Sequence, residues 1–264
     1  MIKGKDVLLT EQKGHIYVMT VNREERRNAM SSELMDRMAQ EWEYFNENDD
    51  LWVAIFTGAG DVAFSSGHDL KEDVEGDVRG GEFRSHKPYV GRRASTDVAT
   101  YKPTIAAING YCLGGGFEFA LNCDLLIASE AAQFGLPEIT LGFYPLAGAP
   151  IRLPRAIPRA LANEMLFLGG RIDAATALRY GLVSRVVPPE RLMDEAREMA
   201  AKIAGYAPVA VRAMKEITYA QEDLAAPQAA RLDTVLRWIV GRTDDSKEGA
   251  RAFMEKRAPV FRGE

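Results

Sequence analysis

The chain of 264 residues is 47% hydrophobic and 27% charged, a composition typical of globular proteins and unlike that of disordered or collagen-like chains. Its formal net charge of −5 argues against nucleic acid as the main partner. No apolar run reaches the roughly 18 residues that a membrane helix needs, and the first residues lack the apolar segment of a signal peptide. We therefore expect a cytoplasmic protein with no membrane partner.

The spacing of cysteine and histidine gives no sign of a metal site. Cys112 and Cys123 lie eleven residues apart in an apolar stretch, which matches neither a disulfide framework nor a CxxC pattern. The three histidines show no HExxH spacing. We expect two buried thiols and no bound metal.

The first part of the chain predicts strands and one long helix. Residues 7–21 carry β-branched and aromatic residues on both sides of a Lys-Gly break and predict a hairpin. Ser31 or Ser32 can cap a helix, and residues 52–58 predict a compact apolar strand. Residues 67–87 are polar and rich in glycine, which is typical of a mobile loop or lid. The apolar residues of the helix recur at helical spacing: Leu34, Met38, Trp42 and Phe45.

From Thr104 the chain becomes apolar again and predicts a strand, a helix opened by glycines and a second strand that ends near residue 129. Residues 183–187 predict another strand, and beyond Pro189 the pattern is helical throughout. The further predicted helices are 158–168, 174–180 with Asp173 as its cap, 190–204, 208–221, 227–240 and 246–256.

Two short motifs point to other enzyme classes. GAGDVA (58–63) matches the GxGxxA of dinucleotide-binding proteins, but FSSG interrupts the helix that must follow it. AFSSG is a variant of the nucleophile elbow with Ser65 as the nucleophile, but the only later histidines are in the polar segment and lack an obvious acid partner. We expect neither chemistry.

Glycine occupies positions 114–116, directly before a predicted helix with Glu118 in its first turn. Glycine permits close backbone approach, and N–H groups at a helix start can stabilise an oxyanion. A tight contact between helix and sheet explains the pattern equally well.

Glu138, in FGLPEITLG, is a second carboxylate in an apolar setting. A lone glutamate beside a proline is more often a surface or cap residue. Two such glutamates close in sequence favour another interpretation, because a desolvated carboxylate pair suits acid–base catalysis.

Taken in order, these segments resemble the crotonase (enoyl-CoA hydratase/isomerase) superfamily over nearly the whole chain. The resemblance is carried by NREERRNAM (22–30), FSSGHDLKE (64–72), KPTIAAINGYCLGGGFEFALNCDLLIA (102–128), FGLPEITLG (134–142), RLPR (152–155), ALRYGLVSRVV (177–187) and FMEKRAPVF (253–261). Within the superfamily, GGGFEFAL, NEM (163–165), RLMDEAREMA (191–200) and EKRAPVFRG look most similar to the carnitinyl-CoA dehydratase (crotonobetainyl-CoA hydratase) branch.

The resemblance implies an α/β fold in two parts. A crotonase-type spiral of ββα repeats with the active site is expected at 1–189, and a helical C-terminal region that mediates trimerisation at 190–264. Such trimers often pair as a dimer of trimers. The implied partner is an acyl-CoA thioester, with coenzyme A as part of the substrate and no separate cofactor.

The resemblance also implies roles for individual residues. The two backbone N–H groups of the oxyanion hole fall at His68 and Gly115, and the acid–base pair falls at Glu118 and Glu138. Contacts with coenzyme A are expected at Arg26, Ser66, Gly67, Asp69, Leu70, Lys71 and Gly114. Further candidate cations for its phosphates are Arg23, Arg27 and Lys256.

Three positions depart from the family pattern. The family usually has a small residue at His68, a proline at Glu24, and PGAGG where this chain has PLAGA (145–149). Leu146 is therefore expected to reshape the acyl pocket away from one for a short straight-chain enoyl group.

These residues favour an enoyl-CoA hydratase, which adds water to a 2-enoyl-CoA or runs the reverse dehydration, and the branch resemblance suggests the carnitinyl-CoA type. An enoyl-CoA isomerase is one alternative, because it needs only one carboxylate. A non-catalytic crotonase-fold binding protein is the other, although such a protein should have lost a glutamate or the glycine run.

Overall fold

The fold is described for residues 6–70 and 100–264 of a computed structural model. From residue 71 onward the predicted lid lies outside the described residues, and so does Lys71.

A six-stranded sheet forms the larger layer. It begins with the predicted hairpin, whose two strands pair antiparallel around Gly14, a residue with a φ of +57°. The remaining neighbours are all parallel, in the order β1-β2-β3-β5-β7-β10. The strands are β1 (Leu8–Lys13), β2 (Ile16–Val21), β3 (Val53–Gly58), β5 (Thr104–Ile108), β7 (Leu125–Ser129) and β10 (Arg185–Val187).

Short strands between these build a second sheet of four strands, in the order β4-β6-β8-β9. The first three are parallel to one another, and the last is antiparallel. From β3 to β8, successive strands enter the two sheets in turn, so the α/β prediction with repeated ββα units is confirmed. The short strands are β4 (Ala63–Ser65), β6 (Tyr111–Leu113), β8 (Gln133–Gly135) and β9 (Arg171–Asp173).

The helices agree with the predicted ones to within a few residues, apart from one that was missed. The missed helix, α3, contains Pro154, a residue that normally interrupts a helical pattern. Ser31 rather than Ser32 is the cap of α1, because its hydroxyl accepts the N–H of Leu34. The helices of the described part are α1 (Ser32–Glu47), α2 (Gly115–Ala120), α3 (Ala149–Ala156), α4 (Arg159–Leu168), α5 (Ala174–Arg179), α6 (Leu192–Ala204), α7 (Pro208–Ala220), α8 (Ala226–Val240) and α9 (Asp244–Glu255). Three 3-10 turns lie at Glu24–Arg26, Pro137–Leu141 and Pro189–Arg191.

The six-stranded sheet is apolar on both faces, which explains its continuous apolar runs. On one face, Phe56 of β3 packs against Phe119 of α2 with ring centroids 4.2 Å apart, in a core shared with α1 and the smaller sheet. On the other face, Ile55 packs in a second cluster that includes Ala196 of α6. The start of the C-terminal helical region therefore covers the sheet, and the boundary at residue 189 stays a prediction.

Both cysteines are buried and free, as expected. None of the described helices is long and apolar enough to cross a membrane.

Candidate active site

The loop before α1 lies beside the segment that follows β4. The N–H of Met30 donates to the carbonyl of Gly67 at 2.8 Å, and the N–H of Asp69 donates to the carbonyl of Met30 at 3.0 Å. The guanidinium of Arg23 forms an ion pair with the carboxylate of Asp69 at 2.8 Å. These contacts hold the backbone on both sides of His68.

Glycines let this segment approach the start of α2. A Cβ on Gly116 would lie 2.5 Å from the Cβ of Ser65, well inside contact distance. Gly67 has a φ of +93°, and a Cβ there would lie 3.0 Å from the carbonyl of Leu113 and 3.3 Å from the nitrogen of Gly115. No larger residue fits at these positions without moving the backbone.

The close approach places two backbone nitrogens near one another. The nitrogen of His68 lies 3.9 Å from the position that a Cβ on Gly115 would take. Because Gly115 is the first residue of α2, its N–H has no helical carbonyl to bind. The two predicted oxyanion-hole residues are thus brought together, while the side chain of His68 is exposed.

Glu138 lies in the 3-10 turn that follows β8, next to the glycines. Its Oε1 is 3.1 Å from the position that a Cβ on Gly114 would take. Its Oε2 is buried and accepts no hydrogen bond from the described residues. Burial raises the pKa of Glu138 to about 7, and the neighbouring charge of Glu118 contributes to the same effect.

Glu118 lies in α2 and is 3% exposed. Its Oε1 accepts two backbone hydrogen bonds, from Ala147 at 2.8 Å and from Ala149 at 2.9 Å. Burial raises the pKa of Glu118, while these two N–H groups and the positive charge of Arg152 act in the opposite direction. Glu118 therefore has donors that stabilise its ionised form, and the Oε2 of Glu138 has none among the described residues.

Of the residues expected to contact coenzyme A, those that the structure describes lie in the loop before α1, in the segment after β4 and directly before α2. Gly67 and Asp69 form the backbone hydrogen bonds with Met30 given above. The N–H of Gly114 donates to the carbonyl of Gly135 in β8. Arg26 is exposed, and the N–H of Ser66 donates to the carbonyl of Arg27 at 3.0 Å. Leu70 is 49% exposed, and Lys71 lies outside the described residues. Leu146, which was predicted for the acyl pocket, is 48% exposed.

The sequence did not predict which residues hold the carboxylate of Glu118 and the backbone around His68 in place. Arg23 was one of the candidate cations for a phosphate, but it is bound to Asp69 with its side chain 15% exposed. The backbone donors Ala147 and Ala149 have no side-chain signature, although the PLAGA departure marked their segment. Arg152, which binds this segment, appeared only as part of RLPR.

The arrangement can stabilise negative charge on a carbonyl oxygen and transfer protons beside it. Two backbone N–H groups at a helix start suit a developing oxyanion. Two carboxyl groups with raised pKa values can act as acid and base. Within residues 6–70 and 100–264, no group of three histidine, cysteine, aspartate or glutamate side chains is placed to hold a metal ion.

Known proteins are similar to this chain in sequence and in fold. A family model described as enoyl-CoA hydratase/isomerase matches residues 11–264. The carnitinyl-CoA dehydratase of Proteus mirabilis (strain HI4320) is 42% identical over 242 residues, covering 90% of this chain and 92% of that protein. The carnitinyl-CoA dehydratase of Salmonella enteritidis PT4 (strain P125109) is 40% identical over 254 residues, covering 95% and 96%.

Solved structures of enoyl-CoA hydratases have a similar fold. The crystal structure of an enoyl-CoA hydratase from Bacillus anthracis superposes with a TM-score of 0.88 and 36% identity, covering 98% of this chain and 100% of that one. That of an enoyl-CoA hydratase from Mycobacterium tuberculosis H37Rv has a TM-score of 0.90 and 33% identity, with the same coverage.

The close approach at Gly116 can be tested by stability measurements. Gly116→Ala should lower the free energy of unfolding by about 1–3 kcal/mol, the usual cost of overpacking, because its methyl group meets Ser65. Urea denaturation measures the loss. Gly170→Ala is the matched control, since a Cβ there meets nothing within 4 Å.

The double variant Ser65→Gly/Gly116→Ala should lose less stability than the sum of the two single variants, because removal of the Ser65 side chain relieves part of the overlap. If Gly116→Ala is as stable as Gly170→Ala, the close approach is not required by the fold.

Proposed function

Since the chain belongs to the enoyl-CoA hydratase/isomerase family, we propose that it adds water to the double bond of a 2-enoyl-CoA thioester, or runs the reverse dehydration. The family model and the hydratase and dehydratase relatives indicate that the chain is a hydratase/dehydratase. The observation that carries the proposal for the site is the pair of buried carboxyl groups, Glu118 and Glu138, beside the glycine-lined start of α2.

The thioester carbonyl is proposed to bind at the two backbone nitrogens. Its oxygen accepts hydrogen bonds from the N–H groups of His68 and Gly115. As water adds at C3, negative charge moves onto this oxygen, where fixed donors stabilise it without reorganisation. Each such donor is typically worth about 3 kcal/mol of transition-state stabilisation. The imidazole of His68 has no part in this step.

The two glutamates take complementary roles in hydration. Glu118, whose ionised form is stabilised by two N–H groups, removes a proton from the water as its oxygen bonds to C3. Glu138, whose pKa is raised to about 7, delivers a proton to C2 as the enolate collapses to the thioester. Dehydration reverses both transfers, and no separate cofactor takes part in the proposed reaction.

Coenzyme A is proposed to lie along the segments that carry the oxyanion nitrogens. Arg26 is exposed at the edge of the site and can meet a phosphate. The other proposed contacts are Ser66, Gly67, Asp69, Leu70, Lys71 and Gly114. Arg23 is removed from the candidate cations, because its guanidinium is bound to Asp69.

The acyl group is proposed to be of the carnitinyl type, as the names of the relatives suggest. Such a group carries a quaternary ammonium, which aromatic rings bind through cation–π contacts. Phe143 and Tyr144 are 59% and 62% exposed, in the segment that runs from Glu138 to the donors of Glu118. Leu146 lies in the same segment and is proposed to reshape the acyl pocket away from one for a short straight-chain enoyl group.

The chain is proposed to assemble as a homotrimer that can pair into a dimer of trimers, through residues 190–264. Helix α8 has no buried residue, and its apolar side chains Val235, Trp238 and Ile239 are 54%, 59% and 45% exposed. Such a face favours burial against another copy. The cytoplasmic location stays a prediction.

Incubation in ¹⁸O-labelled water tests the reaction. A 2-enoyl-CoA series that includes crotonobetainyl-CoA should yield 3-hydroxyacyl-CoA with label at C3, detected by mass spectrometry. Glu118→Gln should abolish labelling, and Glu138→Gln should lower turnover by about 10²–10⁴, as expected for loss of a general acid.

An isomerase would give a different result. If no substrate takes up label while a 3-enoyl-CoA is converted to its 2-enoyl isomer, the hydratase proposal is wrong. If neither conversion occurs and acyl-CoA still binds, the chain is a binding protein.

The pH profile tests the assignment of the acid. Because protonated Glu138 delivers the C2 proton and its pKa is raised to about 7, log(kcat/KM) should fall as pH rises above that value. Dehydration should show the same fall at high pH, since the active enzyme carries one proton shared between Glu118 and Glu138 in either direction of the reaction.

A pantetheine thioester is the control substrate, because it lacks the 3′-phosphate of coenzyme A, whose second pKa is near 6. Activity that rises steadily through pH 7 with this substrate would contradict the assignment.

Assembly can be measured by light scattering. At micromolar concentration the mass should be three or six times that of the chain, and Trp238→Glu should lower it by placing a charge in the apolar face. A monomeric parent protein would overturn the proposed assembly.

A further inference from the structure

We propose that Arg152 is a positioning residue that holds the carboxylate of Glu118 in place through the segment formed by residues 147–149. The inference rests on the proposed function, in which Glu118 activates water, and it adds a residue that touches neither substrate nor reacting atoms.

The position of Glu118 depends on one short segment. Its Oε1 accepts two backbone hydrogen bonds, and both come from that segment, from Ala147 and Ala149. A shift of the segment therefore moves or releases both donors at once.

Arg152 binds the same segment from the other side. Its Nη1 donates to the carbonyl of Ala147 at 2.9 Å, so Ala147 is held by Glu118 at its N–H and by Arg152 at its carbonyl. Both Arg152 and Ala149 belong to α3, which begins at Ala149, and the N–H of Arg152 donates to the carbonyl of Gly148 at 3.0 Å. The guanidinium is thus fixed to the element that also supplies the second donor.

Gly148 leaves room for the guanidinium in this position. Its φ is +104°, and a Cβ there would collide with the guanidinium of Arg152. Without that Cβ, the planar guanidinium lies directly against the backbone. A lysine keeps the charge but lacks the planar group with several donors, so it should replace Arg152 only in part.

The charge of Arg152 has a second effect. Two charged groups of the described residues face Glu118: Glu138 from the 3-10 turn and Arg152 from α3. The positive charge of Arg152 lowers the pKa of Glu118, against the effect of burial. It therefore favours the ionised form that a base requires.

Arg155 provides a matched control. It lies on the same helix and lines the same cavity of about 520 Å³ as Arg152. Its guanidinium binds Glu222 and Asp223 instead of the 147–149 segment.

The kinetic test compares Arg152→Gln, Arg152→Lys and Arg155→Gln in the full-length protein. Arg152→Gln should lower kcat by about 10–100-fold with less than about a threefold change in KM, because a misplaced catalytic group costs up to about 10²-fold. In the pH profile of kcat for this variant, the limb at low pH should move to higher pH, because the pKa of Glu118 rises. Arg152→Lys should keep the limb and recover part of kcat, and Arg155→Gln should remain within about twofold of the parent.

A second measurement needs no substrate and separates the two proposals. NMR titration of ¹³C-labelled glutamate carboxyl groups should show a higher pKa for Glu118 in Arg152→Gln than in the parent, and no change in Arg155→Gln. If the titration responds while the parent has no hydratase activity, the proposed function fails and the role of Arg152 in holding Glu118 remains.

An unchanged Glu118 titration and an unchanged kcat in Arg152→Gln would overturn the inference, as would a raised KM with normal kcat. Circular dichroism checks that the variants fold. If Arg152→Gln does not fold, Arg152→Lys decides, because a parental kcat in that variant would show that the guanidinium contact is not needed.

Discussion

The contact between the segment after β4 and the start of α2 determines the geometry of the whole site. Gly67 and Gly116 permit it, since a Cβ at either position would meet backbone or side-chain atoms at 3.0 Å or less. Because the two backbones touch, the nitrogens of His68 and Gly115 lie near one another. The same contact sets the position of α2 and therefore of Glu118. Where two backbones pack directly against each other at glycines, the backbone has little room to shift.

Burial acts on both carboxyl groups, but their surroundings separate them. Glu118 accepts two N–H groups and lies near a cation, whereas the Oε2 of Glu138 is buried without a donor among the described residues. This difference supports the proposed roles, in which Glu118 acts as the base while Glu138 holds a proton. The raised pKa of Glu138 also costs stability. Because its pKa is raised to about 7 on folding, the free energy of unfolding falls as pH rises from the pKa of the unfolded chain toward 7.

One stretch of chain connects the two carboxyl groups. It runs from Glu138 to Ala149. The carbonyl of Glu138 accepts the N–H of Phe143, and the N–H groups of Ala147 and Ala149 donate to Glu118. The departure of this chain from the family pattern, at Leu146, lies within that stretch. Variation in this stretch changes exposed side chains such as that of Leu146, while the backbone N–H groups of Ala147 and Ala149 still bind Glu118.

The sequence by itself determined the hairpin, α1 and the helices after Pro189, because each has a local pattern of apolar residues and end signals. It also singled out Glu118 and Glu138 as candidates, since carboxylates in apolar segments are conspicuous, and the family resemblance implied the oxyanion residues. The roles of all four residues stay predictions. It did not predict β4, β6, β8 and β9, which are three residues each and too short to show a period. Nor did it predict that Arg23 binds Asp69, or that Ala147, Ala149 and Arg152 hold Glu118. The ion pair of Arg23 with Asp69 joins side chains far apart in the chain, and Ala147 and Ala149 bind Glu118 through backbone N–H groups that carry no side-chain signal. Only the tertiary structure decided these contacts.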